Sequence, residues 1–307
     1  MSMPRLVIYL FSLLLTLGGW AARAAGDTKA AELLAQARAA IGGDKQIARV
    51  SGLSCAGTLQ RMLGDRSVTG EITIDMQLPD KILRTDSINP MGDVTVVTEQ
   101  GINGDKLLRN SKTLNTPPGA VIRLPPPPAP GSDAEAQQLR GSRAEFARFA
   151  LAMILSSPPT LPVEFTYAGE AESSDGKADV LDVKGASSFA AKLFLDKSSH
   201  RPLMLQYRGI APRMVVQTQR GDGPGNDGRA GRGNGRGDEG RGHAEPQAPA
   251  APEQVDIQMF FDDYKQVDGL SLPHHITRSV DGKPNEEWTF KTIKVNPAFK
   301  PDTFSGK

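Results

Sequence analysis

The sequence predicts an α+β fold that is mostly β: an antiparallel sheet laid out as a meander, with one helix at the N-terminus and one apolar helix in mid-chain. Three observations predict it. Apolar and polar residues alternate with a period of two from about residue 51 onward, turn-forming residues interrupt that alternation at short intervals, and two stretches replace it with helical spacing.

The chain opens Met1-Ser2-Met3-Pro4-Arg5, runs uncharged from Leu6 to Gly19, and reaches the small-x-small pattern Ala22-Arg23-Ala24. A short positive head, an apolar middle and such a cleavage pattern describe a secretory signal peptide over residues 1–24, cleaved near Ala24. The apolar run is roughly 14 residues, whereas about 20 are needed to span a bilayer as a helix. No cysteine follows the run to accept a lipid. The expected mature chain, 25–307, is periplasmic and carries no stable membrane anchor.

The first helix is predicted over 27–41. Asp27 or Thr28 caps it, Ala30, Leu33, Leu34, Ala37 and Ile41 form one apolar stripe, and Gly42-Gly43 stop it. Strands follow. Leu53, Cys55, Gly57 and Leu59 alternate with smaller or polar residues, then Ile72, Ile74, Met76 and Leu78 with Thr73, Asp75 and Gln77. Pro79-Asp80 makes a turn, and short strands are expected at 81–88, 93–100 and 105–109, separated by Asn89-Pro90 and Asn103-Gly104.

A proline-rich spacer over 117–131 interrupts the sheet, because the Pro125–Pro128 run favours extended polyproline geometry. Ser132 and Glu135 then have capping-box spacing and open a helix that runs to about Leu155. Phe146, Phe149, Ala150, Leu151, Met153, Ile154 and Leu155 make its second half apolar around most of the circumference, which predicts contact on two sides. Two readings fit: a buried core helix, or a lid over an apolar cavity.

From Pro162 the alternation resumes through Val163, Phe165 and Tyr167, then Val180 to Val183, Leu193 and Leu195, Leu203 to Tyr207, and Met214 and Val216. Ser174-Asp175-Gly176 and Asp196 to Ser199 supply turns. Residues 219–252 are Gly, Arg, Asp, Asn, Pro and Ala with almost no apolar bulk to offset ordering entropy, so a disordered insertion is expected there. Three strands close the domain, with Val255, Ile257, Met259 and Phe261 on the first, turns at Asp268-Gly269 and Asp281-Gly282, and Trp288 and Phe290 on the last. Residues 25–307 are read as a single domain carrying the spacer and the insertion.

Composition and motifs exclude several functions. Removing Arg5 and Arg23 with the signal takes the formal charge from +1 to −1, which offers no electrostatic case for nucleic acid or an anionic membrane. Cys55 is the sole cysteine, so no internal disulfide forms; it reads as a small buried strand residue. Gly223, Gly225 and Gly228 have dinucleotide-fingerprint spacing without the flanking strand and helix that give it meaning. The arginines between 220 and 241 sit among Asp222, Asp227, Asp238 and Glu239, which nearly cancel them, and the two Arg-Gly-Asp tripeptides at 220 and 236 arise from composition. His274 and His275 are adjacent on a strand and point to opposite faces, so they do not converge on a metal. There is no G-x-S-x-G elbow, and Asp262-Asp263 also alternate in facing. No catalytic residue, metal site or cofactor is expected, and the protein reads as a non-enzyme.

Two stretches carry a family likeness: Ala191 to Tyr207, AKLFLDKSSHRPLMLQY, and Phe261 to Pro273, FDDYKQVDGLSLP, followed by Val295-Asn296-Pro297 and Phe304. The first is similar to the strand, Asp turn, Pro, strand hairpin of the outer-membrane lipoprotein carrier (LolA/LolB-like, lipoprotein-sorting) superfamily, and the second resembles its late strand, turn and strand. That resemblance implies a curved sheet forming an incomplete, half-barrel, with the N-terminal helix and the mid-chain helix over an apolar concave face that holds acyl chains of a lipid or lipoprotein in transit. The candidate cavity residues are Phe146, Phe149, Met153 and Ile154 on the helix, with Ile72, Ile74, Met76, Leu193, Leu205, Met259, Phe261, Trp288 and Phe290 on the strands. The alternative is an envelope interaction or scaffold protein, self-packed, whose flexible segments dock an envelope protein partner. Cavity volume separates the two, since a carrier needs hundreds of cubic ångströms and a scaffold needs none.

Overall fold

In the computed structural model, the described residues are 27–64, 66–91, 94–115, 128–173, 176–210 and 254–306. The expected signal peptide, most of the proline-rich spacer, the strand expected at Met214 and Val216, and the insertion at 219–252 lie outside them. The elements are α1 (27–40), α2 (Asp44–Ile47), β1 (Gly52–Leu63), β2 (Arg66–Gln77), β3 (Lys81–Met91), β4 (Val94–Asn103), β5 (Lys106–Leu114), α3 (Asp133–Ile154), β6 (Val163–Ser173), β7 (Gly176–Gly185), β8 (Ala190–Asp196), β9 (Pro202–Ile210), β10 (Gln254–Val267), β11 (Leu270–Val280) and β12 (Lys283–Val295).

All twelve strands join one sheet in the order β5-β4-β3-β2-β1-β12-β11-β10-β9-β8-β7-β6, and every ladder is antiparallel. Two meanders therefore meet at one long-range seam, where β1 pairs with β12. The outermost strands, β5 and β6, do not pair with each other, so the sheet is an incomplete barrel. Helix α3 follows β5 and precedes β6 in the chain and packs against β4, β5, β9 and β11.

Local sequence explains the turns. Asp268-Gly269 and Asp281-Gly282 each hold both loop residues at positive φ, 49° and 83° in the first and 46° and 74° in the second, the twist that suits a two-residue hairpin. Asp196 Oδ1 accepts from the Ser198 amide and hydroxyl and from the Ser199 amide, fixing the β8–β9 turn. Curvature comes from register shifts, one of them at Ala56/Gly57 in the seam. A Cβ on Gly57 would sit 2.0 Å from the Thr289 carbonyl oxygen, so no side chain fits there. The expected turn at Asn89-Pro90 is corrected: β3 runs through both residues to Met91, with a ladder irregularity between Ile88 and Met91. Proline lacks the ladder N–H, and an irregular strand end tolerates that.

Ser132 caps α3 as its sequence predicts, accepting from the Glu135 amide at 3.2 Å. The other half of the box shifts by one residue, since the Glu135 carboxylate accepts from the Gly131 amide at 2.6 Å. Every residue from Phe146 to Leu155 is buried, Arg148 included, as a helix lying in a trough between two halves of a sheet requires. Its end is fastened to α1. Leu155 stops the helix at φ 51°, and its carbonyl accepts from both Nε and Nη2 of Arg38 at 3.3 and 3.1 Å. Ala30, Leu33, Ala37 and Ile41 of α1 join the inward residues of the sheet and the second half of α3 in one apolar core. A smaller cluster, Leu83, Leu108 and Phe304 with Phe299 against it, packs the C-terminal tail on β3 and β5.

Candidate functional site

The inward face of the sheet is set by register. Ile82, Arg84, Asp86 and Ile88 of β3 stand opposite Met76, Ile74, Ile72 and Gly70 of β2, so that face of β3 holds two charges between two isoleucines. On the other half, Ile276 and Arg278 of β11 pair with Trp288 and Glu286 of β12, and Met259 of β10 pairs with Arg278. The first half of α3 crosses above these residues. A cavity of about 560 Å³ lies between them.

Ile74, Ile82, Met259 and Trp288 give the sheet side of the cavity its apolar wall, and Phe149 closes it from the helix. Gln137, Gln138, Gly141 and Ser142 form the polar helical roof, and Ile210 stands at the end of β9. Of the thirteen residues predicted from the sequence, Ile74, Phe149, Met259 and Trp288 line this cavity. Phe146, Met153, Ile154, Ile72, Met76, Leu193, Leu205, Phe261 and Phe290 are buried in the surrounding core instead. The alternation identifies the inward face but not the depth at which a roof stops touching the floor.

Sequence reading missed the charges. Arg84, Glu145, Arg148 and Arg278 line the cavity. Beneath them Arg61, Asp86, Arg84 and Glu286 close a ring: Arg61 Nε donates to Glu286 at 2.8 Å and its Nη2 to Asp86 at 2.5 Å, while Arg84 Nε donates to Asp86 at 2.8 Å and its Nη2 to Glu286 at 3.0 Å. Trp288 Nε1 adds a third donor to Glu286 at 3.0 Å, and the Arg84 guanidinium lies over the indole, 4.8 Å from the ring centroid. Burial alone would raise the Glu286 pKa, but Arg84 and Arg61 outweigh it and hold the carboxyl well below the usual range. The signal for the ring was available: charged residues at 61, 84, 86 and 286 occupy the inward phase of strands whose other inward residues are mostly apolar.

On the helix, Arg148 donates to Glu145 at 2.8 Å and stacks over Tyr207, 3.8 Å from its centroid. Burial comes first among the influences on Glu145 and would raise its pKa, yet Arg148 and Arg278 together lower it. Burial pushes the Tyr207 phenol up to about 12. Cys55 is fully buried and its thiol is raised far above its ordinary value by burial, with Asp75 adding to the effect, so it is a packing residue. His274 and His275 diverge as expected, with His274 Nδ1 3.1 Å from the Leu272 carbonyl oxygen inside the fold and His275 Nε2 2.9 Å from Glu287 outside.

These elements define an open antiparallel half-barrel with a helix across its concave face. No protein-family model matches the chain, and no curated protein matches it. Among solved structures it is similar to a LolA superfamily protein from Nitrosomonas europaea, at 8% identity over 90% of this chain and 96% of that one, with a TM-score of 0.43. A putative outer membrane lipoprotein-sorting protein domain from Vibrio parahaemolyticus is similar at 10% identity over 91% and 97%, TM-score 0.43, and a DUF1329 family protein from Desulfovibrio piger at 7% identity over 90% and 96%, TM-score 0.43.

Proposed function

We propose that this chain is a non-enzymatic carrier of the periplasm that holds an apolar chain, from a lipid or the acyl group of a lipoprotein, between α3 and the concave face of its sheet. The supporting observation is the cavity. Its volume of about 560 Å³ falls within the roughly 300–1,000 Å³ of small-molecule pockets. Ile74, Ile82, Phe149, Met259 and Trp288 give it an apolar wall. Each methylene moved from water to such a wall yields about 0.8 kcal/mol, so a chain of moderate length overcomes the loss of its freedom. The export signal that the sequence predicts over residues 1–24 supports the compartment. A self-packed scaffold has no use for such a space, which favours the carrier reading over a docking protein.

Native mass spectrometry of protein gently purified from the periplasm of an expressing cell tests this. The expected result is an excess mass that organic extraction removes as fatty acyl or phospholipid species. A clean apo mass, together with no uptake of a fluorescent fatty acid at micromolar protein, refutes the carrier.

A further inference from the structure

The charges around the cavity do not balance, and the imbalance has an address. The ring of Arg61, Arg84, Asp86 and Glu286 is neutral and self-satisfied, and Arg148 is matched by Glu145. Arg278, half-buried, has no ion pair among the described residues; burial would lower its pKa, but Tyr207, Glu145 and Glu286 act on it electrostatically and raise it. Among the described residues no carboxylate lies within 4.0 Å of its guanidinium, and its Nε is a buried donor without an acceptor. The Nε of Arg148 is a second such donor on the same cavity, and the stack on Tyr207 holds that guanidinium in place. Glu145 and Tyr207 each feel both arginines electrostatically, so the two cations share one neighbourhood.

Buried donors are nearly always satisfied, because leaving one unmatched costs kilocalories. An unpaired guanidinium beside an otherwise apolar wall is the complement of one oxyanion attached to one apolar chain, and the guanidinium fork matches a carboxylate or phosphate in two hydrogen bonds at once. Resting on the carrier reading above, we propose that the cavity selects an amphiphile with a single anionic head, a carboxylate or a phosphate ester, which seats on Arg278 with Arg148 beside it while its chain runs along Ile74, Phe149, Met259 and Trp288.

Isothermal titration of the purified chain near neutral pH, with dodecanoate, dodecyl phosphate, dodecanol and inorganic phosphate, tests the head group against the chain. The acid and the phosphate ester bind about tenfold or more tighter than the alcohol, the gain expected of a desolvated charged hydrogen-bond pair, and inorganic phosphate alone does not compete. In Arg278→Met the acid falls to the level of the alcohol while the alcohol keeps its affinity, and Arg278→Lys retains part of the preference. Thermal melting of both variants separates lost recognition from lost folding, and if Arg278→Met fails to fold, the acid-to-alcohol ratio of the parent and of Arg278→Lys decides. Equal binding of acid and alcohol by the parent overturns the head-group assignment and leaves the carrier standing. Displacement of dodecanoate by inorganic phosphate at comparable concentration overturns the amphiphile in favour of a free oxyanion. Failure of every chain-bearing ligand overturns the carrier reading and this inference with it.

Discussion

Replacing Glu286 by Gln removes one charge from the ring while preserving shape. The carboxylate receives Arg61 on one oxygen and Arg84 and Trp288 on the other. Glutamine offers one oxygen and one amide, so in its better orientation it keeps the Arg84 and Trp288 bonds and turns two donors, its own and Arg61 Nε, toward each other. The ring then holds two guanidinium charges against one carboxylate, Asp86, with the Arg278 charge on the neighbouring strand. Breaking a buried pair from one side costs about 3–5 kcal/mol. The side chains of Arg61 and Arg84 are 13% and 22% exposed, which lets water screen part of the excess. The lower end, about 3 kcal/mol, is therefore expected, or a drop in Tm of about 6–12 °C at the 2–4 °C per kcal/mol typical of this size. Urea unfolding followed by circular dichroism measures it, and a loss under about 1 kcal/mol refutes the ring as a structural element. The pH dependence gives a second reading. Glu286 is depressed in the fold, so its contribution is fully present above the unfolded glutamate pKa of about 4.3 and is lost as pH falls from there toward the folded value. The parent loses stability as pH falls below about 4.3, and Glu286→Gln loses it with a shallower slope.

Arg38→Ala removes both donors from the Leu155 carbonyl and the tie between α1 and the end of α3; about 1–2 kcal/mol is expected in urea unfolding, and an unchanged midpoint would show that apolar packing alone holds the two helices together. Gly141 lies within α3 on the cavity roof, and a Cβ there meets nothing within 4 Å. Gly141→Ala should thus stabilise by about 0.5–1 kcal/mol through helix propensity, whereas Gly141→Phe should keep the fold and reduce fluorescent fatty-acid binding at least several-fold by filling the space. Retained binding in a folded Gly141→Phe variant moves the ligand elsewhere. Asn296 clamps the seam, accepting from the amides of Ser51 and Gly52 and donating to the Arg49 carbonyl at φ 52°. Asn296→Ala should cost about 1–2 kcal/mol and Asn296→Gly less, because glycine adopts that conformation freely; equal losses would assign the whole effect to the side-chain hydrogen bonds.

The strands and hairpins were legible because their determinants are local. Asp268-Gly269 and Asp281-Gly282 specify turns whatever surrounds them, and Leu53, Ile74 and Met259 mark an inward face by parity alone. Pro90 misled because local chemistry says turn, while the strand end there is irregular enough to accept it. The seam between β1 and β12 was not legible at all. It joins residues such as Leu59 and Trp288, more than two hundred positions apart, and no pattern within either strand names the other. The candidate site fell between these cases. Parity placed Ile74, Met259 and Trp288 inward, but nine of those assigned to the cavity, Met153, Ile154, Leu193 and Leu205 among them, are core because the second half of α3 sits down on the sheet and only the first half stands off it.

That difference in height along one helix ties the fold to the charges. From Phe146 onward α3 carries large apolar side chains and Arg38 fastens its end, so it fills the trough. Before that point the inward positions are Ala134, Gln138, Gly141 and Ser142, too small or too polar to reach an apolar floor, and the gap that remains is the cavity. A gap over an apolar floor alone would favour collapse. Here the floor also carries the guanidinium groups of Arg84 and Arg278, whose desolvation penalty rises as the roof approaches, so closure of the gap is opposed. The ring keeps Arg84 neutralised through Asp86 and Glu286, which leaves Arg278 as the cavity arginine without an ion pair among the described residues. An apolar residue at 278 would avoid that desolvation, so the arginine there is the residue on which the head-group proposal turns.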